Sequence, residues 1–317
     1  MSNASSSRLT HRTSLPTSTA GRTAGALGKS RRYRLRFSLN VLHIRFTPIL
    51  AGVLRFTQVR NPASKVNNKK PEQNNKNHQD FGGPSRVILL VFAIFLLSQF
   101  VAALLLKIAY GIIHPGADNI LDQSVGAQFF YILLAEALAV GCVIWVLRRR
   151  QLGLGAIGFS RRPAWRDVKW AGLGFVIFYG ILVAVTAILT LLIPGFDSGA
   201  PQDVGFNVLS TPLDQIIALI ALVILPPLGE EILIRGYLYS GLRSRWAFWP
   251  AMLITSLLFG VAHLSTGANG TLWAAGVDTF ILSAILVYLR ERSGALYAPI
   301  MMHAANNLIA FVAHFHG

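Results

Sequence analysis

From Arg86 to the C-terminus the chain alternates long apolar runs with short polar connections. Seven runs, near residues 87–113, 127–147, 169–193, 213–241, 248–265, 272–289 and 295–312, come close to or exceed the roughly 20 helical residues that cross a bilayer core. A spanning segment must satisfy its backbone internally, which a helix does. The pattern therefore predicts an all-α fold, a polytopic transmembrane bundle with about seven spans. Residues 1–85 do not share it. Residues 1–36 are rich in Ser, Thr and Arg without a single acid, and residues 61–80 are polar and Asn/Lys-rich, too poor in apolar surface to bury a core. Between them, residues 37–59 are moderately apolar but carry Arg45 and Arg55, which fits an interfacial amphipathic segment rather than a span. The organisation is thus a basic, largely disordered arm over 1–85 and a transmembrane domain over 86–317.

Composition supports this division and charge refines it. The 317-residue chain is 53% hydrophobic and only 13% charged, with a mean hydropathy of +0.51. Soluble domains carry about twice that charged fraction. A net charge of +16 would suit a nucleic-acid partner, but residues 1–86 hold 16 of the 29 Lys and Arg against only Glu72 and Asp80. The body is close to neutral, so no nucleic-acid partner is expected and membrane lipids are. The single cysteine, Cys142, excludes an internal disulfide and any cysteine-cluster metal site.

The connections alternate in charge. Arg148, Arg149, Arg150, Arg161, Arg162, Arg166 and Lys169 fill the second, Arg243 and Arg245 mark the fourth, and Arg290 and Arg292 the sixth. The first, third and fifth carry Asp118, Asp122, Asp197 and Asp203 but no Lys or Arg. The positive-inside rule then predicts a cytoplasmic N-terminus in a plasma (inner) membrane. An acid-free, Arg/Ser-rich start also matches an organelle transit peptide, so an organelle membrane, with residues 1–36 as that signal, is the alternative.

Ionisable residues inside membrane segments are expensive and mark working sites. The chain has 13 acidic residues, and two of them, Glu230 and Glu231, are adjacent within the fourth run, in Leu225-Pro226-Pro227-Leu228-Gly229-Glu230-Glu231-Ile232-Leu233-Ile234-Arg235-Gly236. The proline pair is expected to break or kink the helix and open a new piece, with both carboxylates near its first turn. Four-residue spacing puts Glu231 and Arg235 on one face as an ion pair. Glu230, rotated by about 100°, is left to face a cavity as the candidate base. The fifth run carries Phe259 and His263, and the last His303 and Asn307, each pair four apart. A carboxylate, two histidines and a carboxamide can make a hydrolytic centre: Glu takes a proton from water, and His and Asn hold a developing oxyanion. Glu136, Lys107 and Asp278 lack spaced partners and read as interface or packing residues. No nucleophile elbow, HExxH or P-loop occurs, and no internal repeat supports an inverted-repeat transporter.

These residues resemble the signature of the CPBP family, the CAAX prenyl endopeptidase and bacteriocin-processing (Abi) intramembrane proteases. Its EExxxR pattern matches Glu230, Glu231 and Arg235; its FxxxH matches Phe259 and His263; its HxxxN matches His303 and Asn307. The resemblance covers about residues 165–312. It implies an intramembrane endopeptidase acting on a lipidated or hydrophobic peptide or protein substrate. It further implies that Glu230 activates water with His263 and that His303 and Asn307 stabilise the oxyanion, with Glu231, Arg235 and Phe259 as support. The cofactor is either none or zinc, for which Glu230, His263 and His303 are the candidate ligands. Some members are scaffolds or immunity factors, so a non-catalytic membrane protein is the alternative function.

Overall fold

The computed structural model describes residues 80–113, 124–193, 196, 205–206, 209–264, 266–267, 270–271 and 273–316. The arm up to residue 79, with the transit-peptide and interfacial segments assigned to it, lies outside the described residues. Among those described, the architecture is a helical bundle. It comprises α1 (Pro84–Ile113), α2 (Val125–Arg149), α3 (Trp165–Leu192), α4 (Pro212–Arg243), α5 (Phe248–Ala262), α6 (Trp273–Ser293) and α7 (Tyr297–His316). Each coincides with an apolar run of the sequence, with ends displaced by a few residues. A two-residue antiparallel pairing, Thr266–Gly267 with Gly270–Thr271, joins α5 to α6.

Five helices, α1, α2, α3, α4 and α6, are long and apolar enough to cross a membrane. The α5 helix has 15 residues, about 22 Å at 1.5 Å per residue, which is short of the hydrocarbon thickness. The outside of the bundle is apolar, with Leu89, Leu96, Phe100, Val176, Leu191 and Trp249 exposed. Asp167, Glu231, Arg235, Thr255, Ser256, Ser283 and His303 are buried. Apolar outside and polar inside is the distribution required by a lipid solvent, and the chain is an integral membrane protein.

Local sequence explains the helix ends. Ser124 caps α2 by accepting the Ala127 N–H, and Thr211 with Asp214 forms a capping box at α4. At the other end of the bundle the basic connections lock together. Arg161 pairs with the buried Asp167, and Arg161 and Arg166 both donate to the Ser293 carbonyl. Arg243 and Tyr239 of α4 hold Glu291 of α6. Gly158, at φ +109°, turns the chain where a Cβ would press on the Arg290 guanidinium, and its carbonyl accepts the Leu296 N–H. These contacts fix the α6–α7 turn and hence the height of α7 in the bundle. Asp80 accepts the Gly82 N–H and lies beside Arg245, which together hold its carboxyl below the usual range. Phe81 is buried against Tyr237 of α4.

Candidate active site

The site is built around an irregular α4. Pro226 and Pro227 have no N–H, so the carbonyls of Leu222 and Val223 lose their α-helical partners. The helix does not break. It widens to π spacing over Ile220–Ile224 and again over Glu231–Leu238, on either side of α-helical Leu225–Glu230. This corrects the expectation of a new helix start: both glutamates lie well inside a continuous 32-residue helix, beyond the reach of an N-terminal dipole. Asn307 of α7 donates its Nδ2 to the stranded Leu222 carbonyl at 3.0 Å. A carboxamide nitrogen has two hydrogens, so one remains. His303 and Asn307, four apart on α7, bond to different stretches of α4, Glu231 and Leu222 respectively.

Glu231 is fully buried, and its Oε1 accepts from Arg235 Nη1 at 2.9 Å and from His303 Nδ1 at 2.9 Å. The expected Glu231–Arg235 pair is present, with a third member that spacing within one helix could not reveal. A carboxylate only accepts, so a His303 hydrogen sits on Nδ1, and Nε2 makes no hydrogen bond among the described residues. That Nε2 lies 3.9 Å from Oε2 of Glu230. Glu230 is about a quarter exposed, while its Oε2 is buried and makes no hydrogen bond among the described residues.

Phe259 of α5 is the hub. Its ring lies 4.2 Å beneath the Arg235 guanidinium, 4.4 Å from the His263 ring and 6.2 Å edge-on from His303. Cation–π contact with a desolvated guanidinium is worth about 2 kcal/mol, which helps to hold Arg235 where its Nε and Nη2 have no hydrogen-bond partner. His263 closes the C-terminus of α5, with Nδ1 2.8 Å from the Phe259 carbonyl, and its Nε2 is likewise left free. Gly260, the next residue, lets α5 cross α6 closely: a Cβ there would meet the Gly276 carbonyl at 2.8 Å. His263 makes no hydrogen bond to Glu230 or His303 among the described residues.

Fit to a metal can be judged from these donors. Among the described residues, no three of His, Cys, Asp and Glu converge where an ion would sit. As arranged, Glu230, His263 and His303 do not form such a cluster, and no step below passes through a metal.

Sequence reasoning passed over Glu136. Its side chain lies directly against the backbone of Gly229, where any Cβ would overlap the carboxylate. The available signal was a lone acid in the largely apolar, 25-residue α2.

The comparisons with known proteins take in the segment that carries these residues. Residues 212–309, which run from the start of α4 through α7, match the type II CAAX prenyl endopeptidase Rce1-like family. The chain is also 31% identical over 215 residues to an Escherichia coli protein described as an uncharacterized 24.3 kDa protein, a match covering 65% of this chain and 93% of that one. The chain belongs to the Rce1-like CAAX endopeptidase family. No solved structure is significantly similar. The Rce1-like segment contains Glu230, Glu231, Arg235, Phe259, His263, His303 and Asn307, while α1 to α3 lie before it. An Rce1-like protein of this kind is a membrane-embedded member of a peptidase family.

Proposed function

We propose that this chain is an intramembrane endopeptidase that hydrolyses a peptide bond of a lipidated or otherwise hydrophobic membrane-associated substrate, with Glu230 activating water. The observation that carries this reading is the buried Arg235–Glu231–His303 network, which engages Glu231 through two hydrogen bonds to Oε1 and leaves the neighbouring Glu230, a quarter exposed, with no hydrogen bond from that network. Two adjacent carboxylates so differently employed imply two roles.

Glu230 accepts a proton from water as the oxygen attacks the carbonyl carbon, and the C=O π electrons move onto oxygen. The imidazolium form of His303, anchored through Nδ1 by Glu231, donates from Nε2 to that oxyanion, with the second N–H of Asn307 beside it. His263 Nε2 accepts from the water and orients it. As the C–N bond breaks, Glu230 returns the proton to the leaving nitrogen, which restores the starting state. The basic connections share one end of the bundle, and we place that end and the N-terminus in the cytoplasm of a plasma (inner) membrane.

Purified protein in lipid vesicles, given a prenylated CAAX-type peptide and an apolar unlipidated one, tests this. Wild type should release the C-terminal fragment, and Glu230→Gln should fall to background with its melting temperature kept. Cleavage by Glu230→Gln at the wild-type rate would remove this residue from the mechanism. No cleavage of either peptide by wild type would favour the scaffold alternative.

A further inference from the structure

Glu136 has no assigned purpose, and packing does not supply one. It is the one acidic or basic side chain in α2 before Arg148, placed mid-helix in a segment long and apolar enough to span. An acid there is costly unless paired. Among the described residues it makes no hydrogen bond or ion pair. Position 229 meets it with a glycine, the residue just before Glu230 in chain order. Oxygen Oε2, Cδ and Cβ of Glu136 all press on the face that a side chain would occupy. The notch therefore admits the carboxylate to α4 at the height of the reaction site.

Glu136 and Glu230 are both hydrogen-bond acceptors when ionised, they do not bond to each other, and the Glu230 Oε2 is buried and unpartnered. Glu136 lies against Gly229, the neighbour of Glu230 in the chain, and a water between the two carboxyl groups, with two hydrogens, would satisfy both at once. We propose that Glu136 is a water-positioning residue that, with Glu230, holds the attacking water through its second hydrogen. This inference rests on Glu230 being the base. Glu230 removes one proton while Glu136 fixes the direction of the oxygen lone pair, and Glu136 gains and loses nothing in the step.

Four variants in the vesicle assay decide it, with Glu230→Gln alongside. Glu136→Met keeps the unbranched shape and removes the acceptor, and an apolar residue in a span should insert and fold at least as well as the acid. It should lower kcat about tenfold or more, the scale of a lost orientation effect, with KM within about twofold. Glu136→Gln, which retains an acceptor oxygen, should keep kcat within about threefold of wild type. Gly229→Ala should lower kcat as Glu136→Met does, because the new methyl displaces the carboxylate. Combined with Glu136→Ala it should cause no further loss, since the overlapping group is gone. A wild-type kcat in Glu136→Met overturns the inference and leaves Glu136 as packing, as does a rise in KM alone, which would assign it to substrate. If Glu230→Gln also cleaves normally, the proposed function falls with it. If Glu230→Gln is dead and Glu136→Met is fully active, only the water-positioning role falls.

Discussion

Glu231 takes two charge-assisted hydrogen bonds on one oxygen, from Arg235 and His303, at zero solvent exposure. Removing one member of such a buried set strands the others, at a cost on the order of 3–5 kcal/mol. Glu231→Gln is therefore expected to lower the melting temperature and the membrane-inserted yield, in contrast to the folded but inactive Glu230→Gln. A Glu231→Gln protein as stable as wild type would mean that Arg235 and His303 find other partners. The residue scale also bears on metal. His303 Nδ1 is committed to Glu231 and His263 Nδ1 to the Phe259 carbonyl. Each ring keeps its Nε2, and with the Glu230 carboxylate these would make a set of two histidines and one glutamate, but the three do not converge on one point among the described residues. Cleavage is expected to persist in strong chelator, measured by initial rate after dialysis. Loss of activity that zinc restores would show that the donors rearrange around an ion.

At the scale of elements, the seven apolar runs and their limits were legible in the sequence because span length and apolarity are properties of consecutive residues. The Glu231–Arg235 pair was legible for a related reason, since it lies within one helix. What sequence could not give was the contact between helices. The Asn307 bond to Leu222, the His303 bond to Glu231, and the seat of Glu136 at Gly229 each join residues far apart in the chain. Two π-helical stretches were also hidden, because the proline pair was read as a break where the helix instead widened. Pro226 makes the case testable. Replacing it with Ala restores an N–H that competes with Asn307 for the Leu222 carbonyl and lets α4 tighten toward α spacing. A tightening of one register step would swing the carboxylates away from His303. Pro226→Ala is thus expected to melt at an equal or higher temperature, since a helix-interior proline costs about 3 kcal/mol, while cleavage drops at least about tenfold. A stable Pro226→Ala protein with full activity would show that π geometry is incidental to the site.

For the whole molecule, one end of the bundle carries almost all of the ordered charge. Arg161, Arg166, Arg243 and Glu291 interlock there, and Asp80 brings the start of the described chain to the same place. Ser210, by contrast, precedes the first turn of α4, a helix that ends at Arg243 in the charged cluster. A spanning α4 must hold these two ends on opposite sides, whatever the number of complete crossings made by α5 and α7. Positive charge is retained on the cytoplasmic side, so the orientation is open to direct measurement. Single cysteines would be placed at the exposed positions Ser160, Ala247 and Ser210 in a chain lacking Cys142. In intact cells an impermeant thiol reagent is expected to label Ser210→Cys and to spare Ser160→Cys and Ala247→Cys until the membrane is opened. The reverse pattern would turn the charged end outward. The family membership and the buried network would survive that result, but the substrate's scissile bond would then have to arrive from outside the cell.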